Sequence, residues 1–360
     1  MVWLPRRGSN GMSLISKLTT IAAAGSGGPM GSYIALAHNN SPYFTLLDHT
    51  TKGSVSSADT YTLNGAGESV DFSPEGEYIA VGNRTQYFKL LDHSTAGSVS
   101  LTSSSQALSG DDIFHISFSP NGTYVAVGYL NKVNLLNYSN PSSVSNVATF
   151  TFTGSENKVR GVDFSPDGNY IAVAHQSLPR FTLLDHTTAG SLSSADTYSI
   201  AAASGDYFGA YSVAFSPVGD YIAVGMHGNG GYPRVVLLDH TTAGSVSLAD
   251  TNTNVPGAAK GLCFSPDGKY LAVAHSTSPY FTLLNHTTAG SLSFAASVIL
   301  AANDGYCVDF SPDGKYIAVG HNSTSSTKFT LLDHTTAGFV SISDTFTGTG
   351  IVNGVAFSPN

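Results

Sequence analysis

Apolar residues along most of this chain come in short blocks, such as Tyr-Ile-Ala-Val-Gly and Phe-Thr-Leu-Leu-Asp, set between turn-forming residues. Blocks this short, rich in β-branched and aromatic residues and bounded by Gly, Pro, Asp and Ser, predict strands. The blocks recur. Phe-Ser-Pro begins at Phe72, Phe118, Phe164, Phe215, Phe264, Phe310 and Phe357, at spacings of 46, 46, 51, 49, 46 and 47 residues. Tyr-Ile-Ala-Val-Gly or a near variant begins at Tyr33, Tyr78, Tyr124, Tyr170, Tyr221, Tyr270 and Tyr316. Leu-Leu-Asp-His-Thr-Thr or a variant places its Asp or Asn at Asp48, Asp92, Asn137, Asp185, Asp239, Asn285 and Asp333.

Each repeat reads as four strands. An inner strand ends at Phe-Ser and turns through Pro-Asp-Gly, where Pro presets φ and Gly tolerates the positive φ that follows. The Tyr-Ile-Ala-Val block, the Phe-Thr-Leu-Leu block and a more polar strand such as Asp-Thr-Tyr-Thr-Leu then follow. Four strands per ~47 residues is the period of a propeller blade. The first repeat lacks its inner strand, with Gly27 where Phe belongs, whereas the chain ends on a spare one, Val355-Ala356-Phe357-Ser358-Pro359. The predicted fold is therefore all-β: a seven-bladed β-propeller with four antiparallel strands per blade. The C-terminal strand completes the N-terminal blade and closes the ring, which removes exposed sheet edges. Residues 31–360 make the propeller. Residues 1–30 stand outside it as a leader or attachment segment, with Leu14, Ile15, Leu18, Ile21 and Ala22 at the spacing of a short helix.

Over this span the chain resembles the WD-repeat family of β-propellers, through Phe-Ser-Pro-Asp-Gly-Lys-Tyr at 264–270 and 310–316. It departs from that family where the Trp-Asp pair is replaced by Leu-Asp (Leu47-Asp48, Leu184-Asp185, Leu332-Asp333); its only tryptophan is Trp3. The wording Leu-Leu-Asp-His-Thr-Thr-Ala-Gly-Ser is also similar to repeats in virion proteins of tailed bacteriophages. The opening Met1-Val2-Trp3-Leu4-Pro5-Arg6-Arg7 is similar to the starts of phage tail proteins.

Composition narrows the function. Charged residues are 11% of the chain, less than half the ~25% of an ordinary globular protein. A net charge of −9 with 15 basic residues excludes a generic nucleic-acid binder, because the phosphate backbone is repelled. No apolar stretch reaches the ~20 residues of a membrane span.

Chemistry is sparse. His49, His93, His186, His240, His286 and His334 follow the Asp of their repeats, and His38, His175, His275 and His321 end second strands. Rotation about the ring separates equivalent copies by far more than a metal–ligand bond, so no metal or other cofactor is expected. Cys263 and Cys307 read as buried structural thiols on successive inner strands. Nucleophile and phosphate-loop motifs are absent.

One position stands out. Four residues before each Phe, at the channel mouth, stand Glu68, Phe114, Arg160, Tyr211, Lys260, Tyr306 and Asn353. The loops on this rim differ in every blade, whereas those on the opposite rim repeat. Aromatic faces and charges at a concave mouth form a candidate ligand-binding surface suited to a sugar or a peptide. Only Glu68 and Asn353 of this ring could ligate a cation, too few for the metal sites of propeller lactonases and phytases.

The resulting expectation is a non-enzymatic binding or structural propeller. The phage resemblance implies a virion-surface protein, a tail fibre, appendage or decoration. Its variable rim would meet a host-surface glycan or protein receptor, and Trp3, Arg6 and Arg7 would attach it to other virion proteins. The alternative is a cytoplasmic scaffold of the WD-repeat kind. A propeller hydrolase or lactonase stands last.

Overall fold

The computed structural model describes residues 32–85, 87–108, 112–153, 158–201, 209–227, 232–323, 326–348 and 350–359. Its strands form seven four-stranded antiparallel sheets. The inner strands, from the first blade to the seventh, are Val352–Phe357, Gly67–Phe72, Ile113–Phe118, Val159–Phe164, Ala210–Phe215, Ala259–Phe264 and Asp304–Phe310. The first blade is composite. Val352–Phe357 pairs with Tyr33–His38 in the register Ile34↔Phe357, Ala35↔Ala356 and Leu36↔Val355.

The closing seam repeats the local chemistry of an ordinary blade. Within the other blades the serine after Phe accepts the N–H of the Tyr five residues on, as Ser165 does from Tyr170 at 2.9 Å. Across the seam, Ser358 Oγ accepts the Tyr33 N–H at 3.0 Å. The Pro-Asp-Gly turns behave as their residues require, with Gly168 at φ 75°, a left-handed conformation nearly free of strain only for glycine.

Second and third strands supply the core, with one side of each strand packed against each neighbouring blade. Phe44, Phe88, Phe181, Phe281 and Phe329 head the fully buried side chains. Phe181→Ala is expected to lower unfolding free energy by ~3–5 kcal/mol through lost burial and a residual cavity, measured by denaturant unfolding.

Blades are joined by two kinds of aspartate clasp. Outer-strand Asp59, Asp196, Asp250 and Asp344 accept backbone N–H groups of the next blade, from Val99, Val246, Leu292 and Val55, at 2.7–2.8 Å. Inner-strand Asp71, Asp163 and Asp309 accept those of Phe118, Phe215 and Phe357, each at 2.8 Å.

The histidines are structural. His93 Nδ1 bonds the Gly76 carbonyl at 3.0 Å, and its ring stands edge-on to Tyr33 of the preceding blade and Phe72 of its own. His186 and His334 repeat this arrangement with their own neighbours. The adjoining Asp caps the turn, as Asp48 Oδ1 does for the Thr50 N–H and hydroxyl. His38, His175, His275 and His321 each place Nε2 3.0 Å from a buried threonine hydroxyl on the third strand.

Candidate functional site

Every inner strand carries a bulge at one position. Pairing to the second strand runs Val159↔His175 and then Gly161↔Ala174, so Arg160 has no partner across the ladder. The same skip passes over Glu68, Phe114, Tyr211, Lys260 and Tyr306, and over Asn353 at the closing strand. A bulged residue is re-aimed away from the sheet, and in a ring of seven the free direction is the central channel. All seven sequence-predicted residues accordingly line one cavity of about 370 Å³, within the size range of small-molecule sites. Small residues beside the bulge allow the close approach of blades: a Cβ on Gly261 would lie 2.8 Å from the Cys307 Cα.

The mouth has distinct sectors. Arg160 lies between two rings, its guanidinium carbon 4.6 Å from the centre of Phe114 and 5.5 Å from that of Tyr211. Lys260 Nζ is 4.0 Å from the centre of the Tyr306 ring and pairs with Asp304 of the next blade. Arg84, from the link after a second strand, pairs with Glu68. Asn353 Nδ2 donates to the Gly67 carbonyl at 3.0 Å and to Glu68 Oε1 at 3.2 Å. Burial raises the Glu68 carboxyl against the pull of Arg84. The His227 ring lies 5.3 Å from that of Tyr211.

Deeper in the same cavity, the residue just before each Phe contributes Asp71, Asp163 and Asp309. Burial pushes the Asp71 carboxyl up to about 8, against the hydrogen bond from the Phe118 N–H. Burial likewise lifts Asp309 to about 6. His115 lines the wall, and burial lowers it to about 4. Its Nδ1 faces the Val162 N–H at 3.4 Å, which leaves Nε2 as the donor of the neutral ring. Among the described residues no group of three or more His, Cys, Asp and Glu is arranged to hold a metal ion.

Two sequence expectations need correction here. Cys263 and Cys307 do point toward the next blade, with Sγ of Cys263 3.2 Å from Asp309 Oδ1 and Sγ of Cys307 3.6 Å from the Val352 carbonyl. They are half-buried and line the channel rather than being sealed in the core, because channel-facing positions recur on both sides of the bulge. The site is also richer in carboxyl groups than Glu68 alone. One inner-strand position was counted, whereas each strand contributes several. Asp71, Asp163 and Asp309 could have been found by reading the residue before each Phe. Arg84 could not, since its link differs from blade to blade. Trp3, Arg6, Arg7 and the apolar residues at 14–22 lie outside the described residues.

A sequence profile described as "WD domain, G-beta repeat" matches residues 146–178 and 296–327. Each match runs from an outermost strand into the second strand of the next blade, so the sequence repeat straddles the structural one. With the seven-bladed ring, this makes the chain a WD-repeat-like propeller. No curated protein matches the chain in sequence. Among solved structures, a candidate 6-phosphogluconolactonase from Bacteroides uniformis superposes with a TM-score of 0.78 at 16% identity, covering 91% of this chain and 100% of its own. Another from Bacteroides fragilis gives 0.76 at 13%, over 91% and 98% of the two chains. A periplasmic gluconolactonase from Pseudomonas aeruginosa gives 0.69 at 16%, over 91% and 97%.

At these identities the likeness establishes the fold. It also overturns the functional ordering drawn from sequence. The virion-attachment reading rested on short stretches of wording, and the non-enzymatic reading on a shortage of carboxyl groups. None of these three neighbours is a virion protein, all carry lactonase names, and the channel adds Asp71, Asp163 and Asp309 to the Glu68 of the mouth ring.

Proposed function

We propose that this protein is a propeller hydrolase that opens a sugar lactone in the mouth of its central channel. The observation that carries the reading is the shared cavity: seven bulges present aromatic faces and cations, and carboxyl groups of divided basicity lie on the same walls. Phe114, Tyr211 and Tyr306 offer ring faces to the C–H face of a sugar. Water attacks the lactone carbonyl carbon, the carbonyl oxygen becomes an oxyanion, and the ring C–O bond then breaks to leave a carboxylate and a hydroxyl. Lys260, aimed by Asp304 and Tyr306, stabilises the oxyanion. Asp309, at about 6, is ionised at neutral pH and basic enough to take the proton of the attacking water. Asp71, at about 8, remains protonated and supplies the proton that the departing ring oxygen takes up. The names of the structural neighbours support this reaction class.

The test is acid release from glucono-δ-lactone, 6-phosphoglucono-δ-lactone and glucaro-1,4-lactone, corrected for spontaneous opening. Lys260→Met is expected to lower kcat by ~10²-fold while leaving the melting temperature within a few degrees. Wild-type protein that opens none of the three faster than buffer overturns the reading.

A further inference from the structure

We infer that the sugar this site takes carries a single carboxylate and no phosphate. The inference rests on the hydrolase reading and adds to it the charge of the substrate. Three cations reach the mouth, and they are not equivalent. Arg84 is neutralised by Glu68 and Lys260 by Asp304. Arg160 alone of the three forms no ion pair or hydrogen bond with the described residues. Phe114 and Tyr211 hold its guanidinium through their ring faces, and none of its five N–H donors is bonded to another described residue. An unpaired guanidinium beside two rings gains more from an anion than one already bonded to a carboxylate.

The surroundings set how much negative charge the site accepts. Glu68, Asp163 and Asp309 share the cavity with Arg160, Asp304 adjoins it through Lys260, and Asp112 bears on both Glu68 and Arg84. A phosphate monoester of charge about −1.5 to −2 would meet, among the described residues, one cation outside those ion pairs, with Asp163 and Asp309 on the same walls. A carboxylate brings a single charge and two coplanar oxygens that match the guanidinium fork. Arg160 is thus a specificity-determining anchor, with the sugar ring laid against Phe114 or Tyr211.

Glucuronate, glucose 6-phosphate and glucose share one pyranose ring and differ at the sixth carbon as carboxylate, phosphate and hydroxyl. Their dissociation constants, measured by calorimetry at fixed ionic strength, decide the matter without turnover. Glucuronate is expected to bind at least ~10-fold more tightly than either of the others, the yield of a charge-assisted bidentate contact. Arg160→Gln is expected to bring glucuronate to the level of glucose, and Arg160→Lys to recover only part of the difference. Glucose 6-phosphate binding as tightly as glucuronate overturns the inference, as does glucuronate binding unaffected by Arg160→Gln or binding by none of the three. Lactone opening accompanied by a preference for glucose 6-phosphate leaves the hydrolase reading standing and removes only the inference. A glucuronate preference without opening of any lactone removes the hydrolase reading and leaves the anchor.

Discussion

A chain shortened by its last nine residues, 352–360, is expected to show no cooperative melting transition. The lost strand carries Val352, Val355, Ala356 and Phe357, all buried, and contacts four strands at once, the second strand of the seventh blade (Tyr316–Asn322) among them. Along one side it pairs with Tyr33–His38. On its faces it packs between the inner strands of the second and seventh blades. Its removal uncovers the second strand of the first blade, whose six residues are all buried, and leaves the channel wall open. Exposing that much apolar surface and unpaired backbone approaches the entire ~5–15 kcal/mol by which domains of this kind are stable. A graded companion keeps the test interpretable. Asp309→Ala leaves the strand in place but removes the acceptor of the Phe357 N–H, at an expected ~1–3 kcal/mol for a buried donor left unbonded. Calorimetry of both variants checks this, and a truncated chain that melts at the wild-type temperature would refute closure by the terminal strand.

Stability is expected to peak near pH 7 and to fall on both sides. His175, His275 and His321 are fully buried, and burial lowers each to about 4; Arg180 adds to the depression at His175 and Lys328 at His321. His115 in the channel is lowered to the same value. Below pH 6.5 the unfolded chain binds protons at these four positions and the folded protein does not, so stability falls with pH. Asp71 and Asp309 act in the opposite sense, since folding raises them to about 8 and about 6. Their contribution is complete below the ordinary aspartate value near 4 and is lost progressively from there up to those folded values. Between pH 6 and 4, four protons favour the unfolded chain and two the folded one. The net slope is ~2.7 kcal/mol per pH unit, or ~5 kcal/mol over the interval. Above pH 7 the histidine advantage is complete and the Asp309 contribution already lost, so the alkaline limb belongs to Asp71, falling until its carboxyl ionises in the folded protein near 8. Melting temperatures across pH 4–9 check the shape. Asp71→Asn should flatten the alkaline limb and steepen the acid one, and a profile that rises steadily from pH 4 to 8 would overturn the assignment.

The fold was legible to the extent that it depends on local chemistry repeated many times. Phe-Ser-Pro-Asp-Gly marks an inner strand and its turn, because Pro and Gly hold the φ values that turn requires and the serine caps the strand that follows. The missing Phe at Gly27 and the spare strand at Phe357 announced the composite blade. The buried His–Thr pairs were less legible. His175 and Thr182 are seven residues apart in sequence and reveal their contact only once the second and third strands are paired.

The seven mouth-ring positions do line one cavity, yet the contacts among them were hidden. Nothing near Arg160 in sequence shows that Phe114 and Tyr211, 46 residues before it and 51 after it, lie beside its guanidinium. Nor does anything near Lys260 show that Asp304 neutralises it. The two expectations that failed did so for one reason. Cys263 and Cys307 were read as buried thiols, and the ring position alone was counted toward a cation site, whereas several positions of each inner strand face the channel.

By itself, then, the sequence determined the strands, their sevenfold repetition and the closure of the ring, because those follow from turn geometry and apolar burial within some 47 residues. Only the tertiary structure decided which charges are spent on one another and which remain for a ligand. That depends on a bulge in every inner strand, created by pairing with the second strand. It also depends on the curvature of a closed ring, which brings residues of neighbouring blades within a few ångströms of each other around one cavity.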